Sequence, residues 1–155
     1  MSLRRFPRYF IPLLTMPLAA FWSLSAQAED GKCLIVHVPQ ESPAAFKQAL
    51  NIANNLPKQL GADAARVYVL AQGPGLKLLT KGSPEAARIK SLAASAEQTI
   101  GGGTEFLACA ATMAGIKNRT GKEPELTEGA EVTSPGAVAK VIELHYTKGC
   151  AYVRI

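Results

Sequence analysis

Apolar runs of strand length alternate along the chain with segments whose apolar residues recur at helical spacing, and the links between successive runs are too long for hairpins. That alternation predicts a parallel sheet in a three-layer α/β/α domain. The first run, Lys32 to Val38, is nearly continuous and rich in branched residues, as suits a strand covered on both faces. Ser42-Pro43 then supplies an N-cap with proline at the first helical position, and Phe46, Ala49, Leu50, Ala53 and Leu56 form a stripe. This helix is expected to be disturbed at Pro57 and to end near Gly61. Ala65 to Ala71 reads as the second strand, closed by the breakers Gly73-Pro74-Gly75. Ser83-Pro84 caps a second helix carrying Ile89, Leu92, Ala93 and Ala96, which stops before Gly101-Gly102-Gly103. Thr104 to Ala108 is the third strand, with Cys109 at its carboxyl end; the helix after it is expected to be short, interrupted by Gly115 and the polar stretch 117–128. Ala130 to Thr133 makes a fourth strand. Ser134-Pro135 caps a last helix with Val138, Val141, Ile142 and His145 along one side, and Cys150 to Ile155 closes the chain as a fifth strand.

Ahead of the first strand, Arg4, Arg5 and Arg8 precede the apolar stretch Phe10 to Leu24, and Ala26-Gln27-Ala28 follows it. A basic region, an apolar core and a small-x-small cleavage site in that order read as a secretory signal peptide over 1–28. Cleavage after Ala28 predicts an exported, periplasmic domain of residues 29–155 with no stable membrane insertion, since Pro12 and Pro17 break a run already short for a bilayer span. The leader holds three of the 17 basic residues and none of the 12 acidic ones, so much of the formal charge of +5 leaves with it. No Lys/Arg block remains to suggest a nucleic-acid partner. Three cysteines are an odd count for an exported chain, which implies one disulfide and a leftover thiol, an intermolecular bridge, or three free thiols. Cys33 and Cys150 lie near the two ends of the domain; if they pair, Cys109 is left over.

In open parallel sheets chemistry collects beyond the carboxyl ends of the strands. Cys109, Gly73-Pro74-Gly75 and His37 all fall on that edge. Cys109 stands where a strand hands over to a helix, and the unpaired N–H groups and dipole of a helix N-terminus favour thiolate, the form that attacks electrophiles. The competing reading is a small buried hydrophobe. Lys77 is a candidate cation for a thiolate or an anionic sulfur species, against simple solvation. His37 is a candidate proton-transfer partner, against packing with its ring nitrogens satisfied. Gly73 and Gly75 shape the backbone near the site. Two histidines and three cysteines without close ligand spacing predict no metal, and no cofactor is called for. There is no Cys-x-x-Cys and no Gly-x-Ser-x-Gly, and the triple glycine precedes a strand rather than following one, which is not a phosphate loop.

The strand Cys33 to Val38, the stretch Tyr68 to Leu79 with its Gly-Pro-Gly-Leu-Lys-Leu-Leu, the Phe106-Leu107-Ala108-Cys109 step with Thr112-Met113, and the closing Gly149 to Arg154 together resemble the exported branch of the DsrE/DsrF-like family, associated with sulfur relay and intracellular sulfur oxidation. Ala110-Ala111 stand where related sequences often carry Gly-Asn. The resemblance spans essentially all of residues 29–155. It implies a five-stranded sheet of order 4-3-2-1-5, homo-oligomers that are commonly trimeric or hexameric and, in sulfur-relay members, a cysteine that carries persulfide sulfur, here Cys109. On the same sheet edge Gly73, Gly75, Lys77, His37 and Thr112 are the candidate substrate-binding residues, and a sulfur donor or acceptor protein is the expected partner. In that order the first and last strands are neighbours starting on one edge, where Cys33 and Cys150 can pair. The expectation is a periplasmic thiol-dependent sulfur carrier or sulfurtransferase-like protein; the alternative is a non-catalytic oligomeric module of the same fold that binds a small molecule or a protein.

Overall fold

The computed structural model describes residues 32–155. The leader and its cleavage site lie outside the described residues. Five strands form one all-parallel sheet: β1 (Lys32–Val38), β2 (Ala65–Ala71), β3 (Gly103–Cys109), β4 (Ala130–Thr133) and β5 (Ala151–Arg154), in the spatial order β4-β3-β2-β1-β5. The order and the layered α/β architecture are those expected. The central strand β2 is buried at six of its seven positions, as a strand with neighbours on both edges and layers on both faces must be.

Helices α1 (Pro43–Leu60), α2 (Ala86–Ala96) and α3 (Ala110–Thr120) cover one face, where Val36, Val67, Val69 and Phe106 meet Leu50, Ile89 and Met113. The other face carries a smaller core of Ile35, Tyr68, Leu70, Leu107 and Cys109 under α4 (Ala137–Ile142) and the wider π turn that continues it through Thr147. Cys33 and Cys150 form a disulfide, with Cα atoms 4.6 Å apart. It fastens the entry to β5 against the start of β1.

Several boundaries differ from the sequence reading. Helix α1 runs straight through Pro57. Proline cannot donate to the carbonyl four residues back, but the buried Thr104 hydroxyl donates to that Ala53 oxygen at 3.2 Å, so the group the proline orphans is satisfied from β3. Helix α3 continues past Gly115 to a Gly121 cap, because Met113 and Ile116 anchor it to the core and outweigh a glycine cost of about 1 kcal/mol. Gly73-Pro74-Gly75 does not open a plain loop: residues Gly73–Leu79 form a 3₁₀ segment whose Leu76, Leu78 and Leu79 are fully buried. Helix α2 starts at Ala86, since the Ser83 hydroxyl caps a preceding turn by accepting from the Glu85 N–H. The inward stripe of the last helix is Ala137 and Leu144, buried, with Val141 partly buried between them, while Val138, Ile142 and His145 are exposed. A hydrogen bond from the Ala137 N–H to β3 fixes that rotation.

Candidate functional site

The parallel sheet directs all its strand carboxyl ends to one edge, and three segments leave that edge side by side: the 3₁₀ segment after β2, α3 after β3, and the turn into α4 after β4. Cys109 sits at their meeting point as the residue that caps α3. Its side chain lies on the α4 face of the sheet and is only 2% exposed. The Ala137 N–H at the start of α4 donates to Cys109 Sγ at 3.4 Å. Gly136, just ahead of it, passes so close that a Cβ there would stand 3.9 Å from the sulfur and 3.7 Å from the Ala111 Cβ.

Burial pushes the Cys109 thiol up. The Thr112 hydroxyl, the Ala137 N–H and the N–H groups of Thr112 and Ala111 favour the thiolate and together outweigh it, so the net shift is downward. Of these, the Ala137 contact has full hydrogen-bond geometry, while the first-turn N–H groups of α3 act on the sulfur without capping through it. Thr112 is set by its neighbour: its Oγ1 accepts from the Gly73 N–H at 3.0 Å, which leaves its own proton for the sulfur. Gly73 holds a left-handed φ of 55°, which is what turns that N–H toward α3. Gly75 matters for space, because a Cβ on it would meet the Val38 carbonyl oxygen at 2.0 Å.

His37, at the end of β1, is not a free base. Its Nε2 faces the Gln72 Oε1 at 3.0 Å and its Nδ1 faces the Tyr152 hydroxyl at 2.7 Å. An amide oxygen only accepts, so Nε2 carries the proton and Nδ1 accepts from Tyr152. Burial lowers the His37 pKa first, opposed by Gln72 and assisted by Arg154, so the ring stays neutral and ties β5 and the start of the 3₁₀ segment to β1. Lys77 does not reach the thiol; its Nζ pairs with Glu41 at 2.7 Å on an exposed surface. The structure therefore groups Cys109, Thr112 and Gly73, places His37 and Gly75 as supports of the neighbouring backbone, and puts Lys77 in an adjoining groove. That groove encloses about 490 Å³ between the 3₁₀ segment and α3, and Thr112 is the wall it shares with the thiol. Gln72, Tyr152, Gly136 and Ala137 were not singled out from the sequence. The Ser-Pro-Gly that leaves β4 on the same edge as Cys109 is the signal that would have pointed to the last two.

Among the described residues no group of three or more His, Cys, Asp or Glu side chains is placed to hold a metal ion, and no helix is long and apolar enough to cross a membrane. Two consequences are measurable. The alkylation rate of Cys109 should titrate with a midpoint below that of an ordinary thiol yet plateau at a low value, since the sulfur is sealed. Thr112→Val, which keeps the shape and removes the hydroxyl, should move that midpoint upward; an unchanged midpoint would show that the hydroxyl does not act on the sulfur.

No protein-family model matches the chain, and no curated protein does. Among solved structures the chain is similar to a protein of unknown function, MTH1491, from Methanobacterium thermoautotrophicum: 22% identity, a TM-score of 0.65, and coverage of 80% of this chain and 99% of that one, a likeness of fold.

Proposed function

We propose that the protein is an exported member of the DsrE/DsrF-like proteins and carries sulfane sulfur as a persulfide on Cys109. The observation that supports this most is the convergence on one sulfur of the α3 N-terminus, the Ala137 N–H and the Thr112 hydroxyl, which lowers the thiol pKa in spite of burial. The chemistry needs only the thiolate. Its electron pair attacks the outer sulfur of a donor such as thiosulfate, the donor S–S bond breaks, and sulfite leaves with the bonding pair, giving Cys109–S–S⁻. An acceptor thiolate then attacks that outer sulfur, takes it as its own persulfide and returns Cys109 as thiolate. The donors around Sγ that favour thiolate also favour the persulfide anion. The disulfide-bonded Cys33 and Cys150 take no part.

Exposure to polysulfide, or to thiosulfate with a sulfurtransferase, should add one sulfur atom at Cys109 by mass spectrometry, and Cys109→Ser should abolish the gain without loss of fold. No gain with any donor, or an equal gain in the serine variant, would end this reading. A second reading, a binding module without sulfur chemistry, has one observation in its favour: the sulfur is sealed while the groove beside it is open. Self-association belongs to the proposal too, supported by the exposed Val138, Ile142 and Tyr146 of the α4 segment; light scattering that finds only monomer at micromolar concentration would remove it.

A further inference from the structure

A groove runs between α3 and the 3₁₀ segment and reaches Thr112. Thr112, Ile116 and Arg119 recur at helical spacing along α3 and line one wall; Pro74, Leu76 and Lys77 of the 3₁₀ segment line the other. Its floor is apolar, and its rim carries two cations, Lys77 and Arg119, and one carboxylate, Glu41. Lys77 is matched by Glu41, an exposed pair that contributes little and is easily shared. Arg119 has no acidic partner among the described residues. Its guanidinium folds back over Gly115, toward the α3 N-terminus: a Cβ at Gly115 would stand 3.3 Å from Nη1. A helix-interior glycine costs stability, and here its missing side chain leaves the room in which the guanidinium lies. An unmatched cation thus hangs over an apolar trough of about 490 Å³, within the roughly 300–1,000 Å³ of small-molecule sites. The trough ends at Thr112, whose hydroxyl favours the Cys109 thiolate.

We infer that this groove binds a low-molecular-weight organic thiol compound bearing a carboxylate, with the carboxylate on Arg119, the carbon chain over Leu76 and Ile116, and the sulfur end at Thr112. The inference rests on the sulfur-carrier reading for its chemistry, in which the persulfide of that compound is the donor. Cys109 thiolate attacks the terminal sulfur of R–S–SH, the S–S bond breaks, R–S⁻ leaves with the bonding pair, and Cys109–S–SH forms. A bare inorganic anion would leave the apolar floor uncovered.

Binding and transfer can be read separately. S-methylglutathione, which cannot transfer sulfur, should bind the Cys109→Ser protein by calorimetry, and Arg119→Gln should weaken that binding about tenfold or more, the loss of a charge-assisted contact. Arg119 is exposed and unpaired, so the variant should unfold at the wild-type temperature. No binding at millimolar S-methylglutathione, or equal binding by Arg119→Gln, overturns the groove assignment, whatever thiosulfate does at Cys109. In the wild type, glutathione persulfide should load Cys109, and Arg119→Gln should raise the half-saturating concentration about tenfold with little change in the saturated rate. Arg119-dependent binding without loading at Cys109 by any donor leaves the groove assigned and removes the sulfur-carrier reading instead.

Discussion

Replacing Cys33 and Cys150 together by alanine is expected to lower stability by about 4–5 kcal/mol, the chain-entropy value for a loop of this span, since the bridge joins residues 117 apart in sequence. The loss should appear as a fall in Tm of about 15 °C. The bridge does more than close a loop. β5 is a four-residue edge strand that, with Ile155 after it, buries only the flanks of Val153 and Ile155, and its pairing with β1 runs from Ala151 to Arg154 and ends at the Ile155 N–H, which donates to the His37 carbonyl at 3.1 Å. Without the covalent clamp that edge has few apolar contacts to hold it, so amide exchange in β5 should rise more than exchange in β2. Tyr152 would loosen with it, and so would its hydrogen bond to His37. The double variant is the proper comparison, because a single replacement leaves a thiol in the same small core as Cys109, free to exchange. Chemical denaturation of oxidised, reduced and double-alanine protein tests the claim; a difference under about 1 kcal/mol would show that the bridge constrains an unfolded state already restricted by other means.

The pairing also shows what was legible in the sequence. Parity and position left three cysteine arrangements open, and only a sheet in which the first and last strands are neighbours chooses among them. The strands themselves were readable because each is a short run of branched apolar residues ended by a breaker; β1 stops at Pro39 and β2 before Gly73. Helix interiors were harder wherever tertiary contacts overrode local cost. Pro57 looked like a disturbance because its remedy, the Thr104 hydroxyl, lies on a strand that the local sequence does not reveal. Gly115 looked like an interruption because what outweighs its cost, the anchoring of Met113 and Ile116 in the core, is set by the sheet beneath α3.

The site divides in the same way. Cys109 was legible from a single local feature, a thiol at a strand-to-helix junction. The groups that set its chemistry were not, since Ala137 contributes only a backbone N–H and comes from a strand away. Lys77 was legible as a cation near that edge, but its pairing with Glu41 and its place in the groove rather than at the thiol were not. Arg119, ten residues past the cysteine, carries no motif, and only the stripe it shares with Thr112 and Ile116 on α3 brings it to the groove.

Gly75→Ala should be the most damaging single substitution near the site, at about 3 kcal/mol or more. The added Cβ would stand 2.0 Å from the Val38 carbonyl oxygen, 2.7 Å from its carbon and 3.1 Å from the Gln40 nitrogen. All three are backbone atoms at or just past the end of β1, so no side chain can swing away, and the whole 3₁₀ segment must lift. Lifting it breaks the hydrogen bonds from the Gly75 N–H to Gln72 and Pro39 and from the Gln72 N–H to Val38, and it draws Leu76, Leu78 and Leu79 partly out of the core. Gly82→Ala, a few residues on, is the matched control: nothing lies within 4 Å of its added Cβ, and stability should change by less than about 0.5 kcal/mol. Displacement of the segment should also carry the Gly73 N–H away from Thr112, so in Gly75→Ala the alkylation midpoint of Cys109 should rise along with the loss of stability. If Gly75→Ala folds as stably as Gly82→Ala, the close approach of the segment to β1 is wrong; if it is unstable but leaves the midpoint untouched, the segment does not act on the thiol through Thr112.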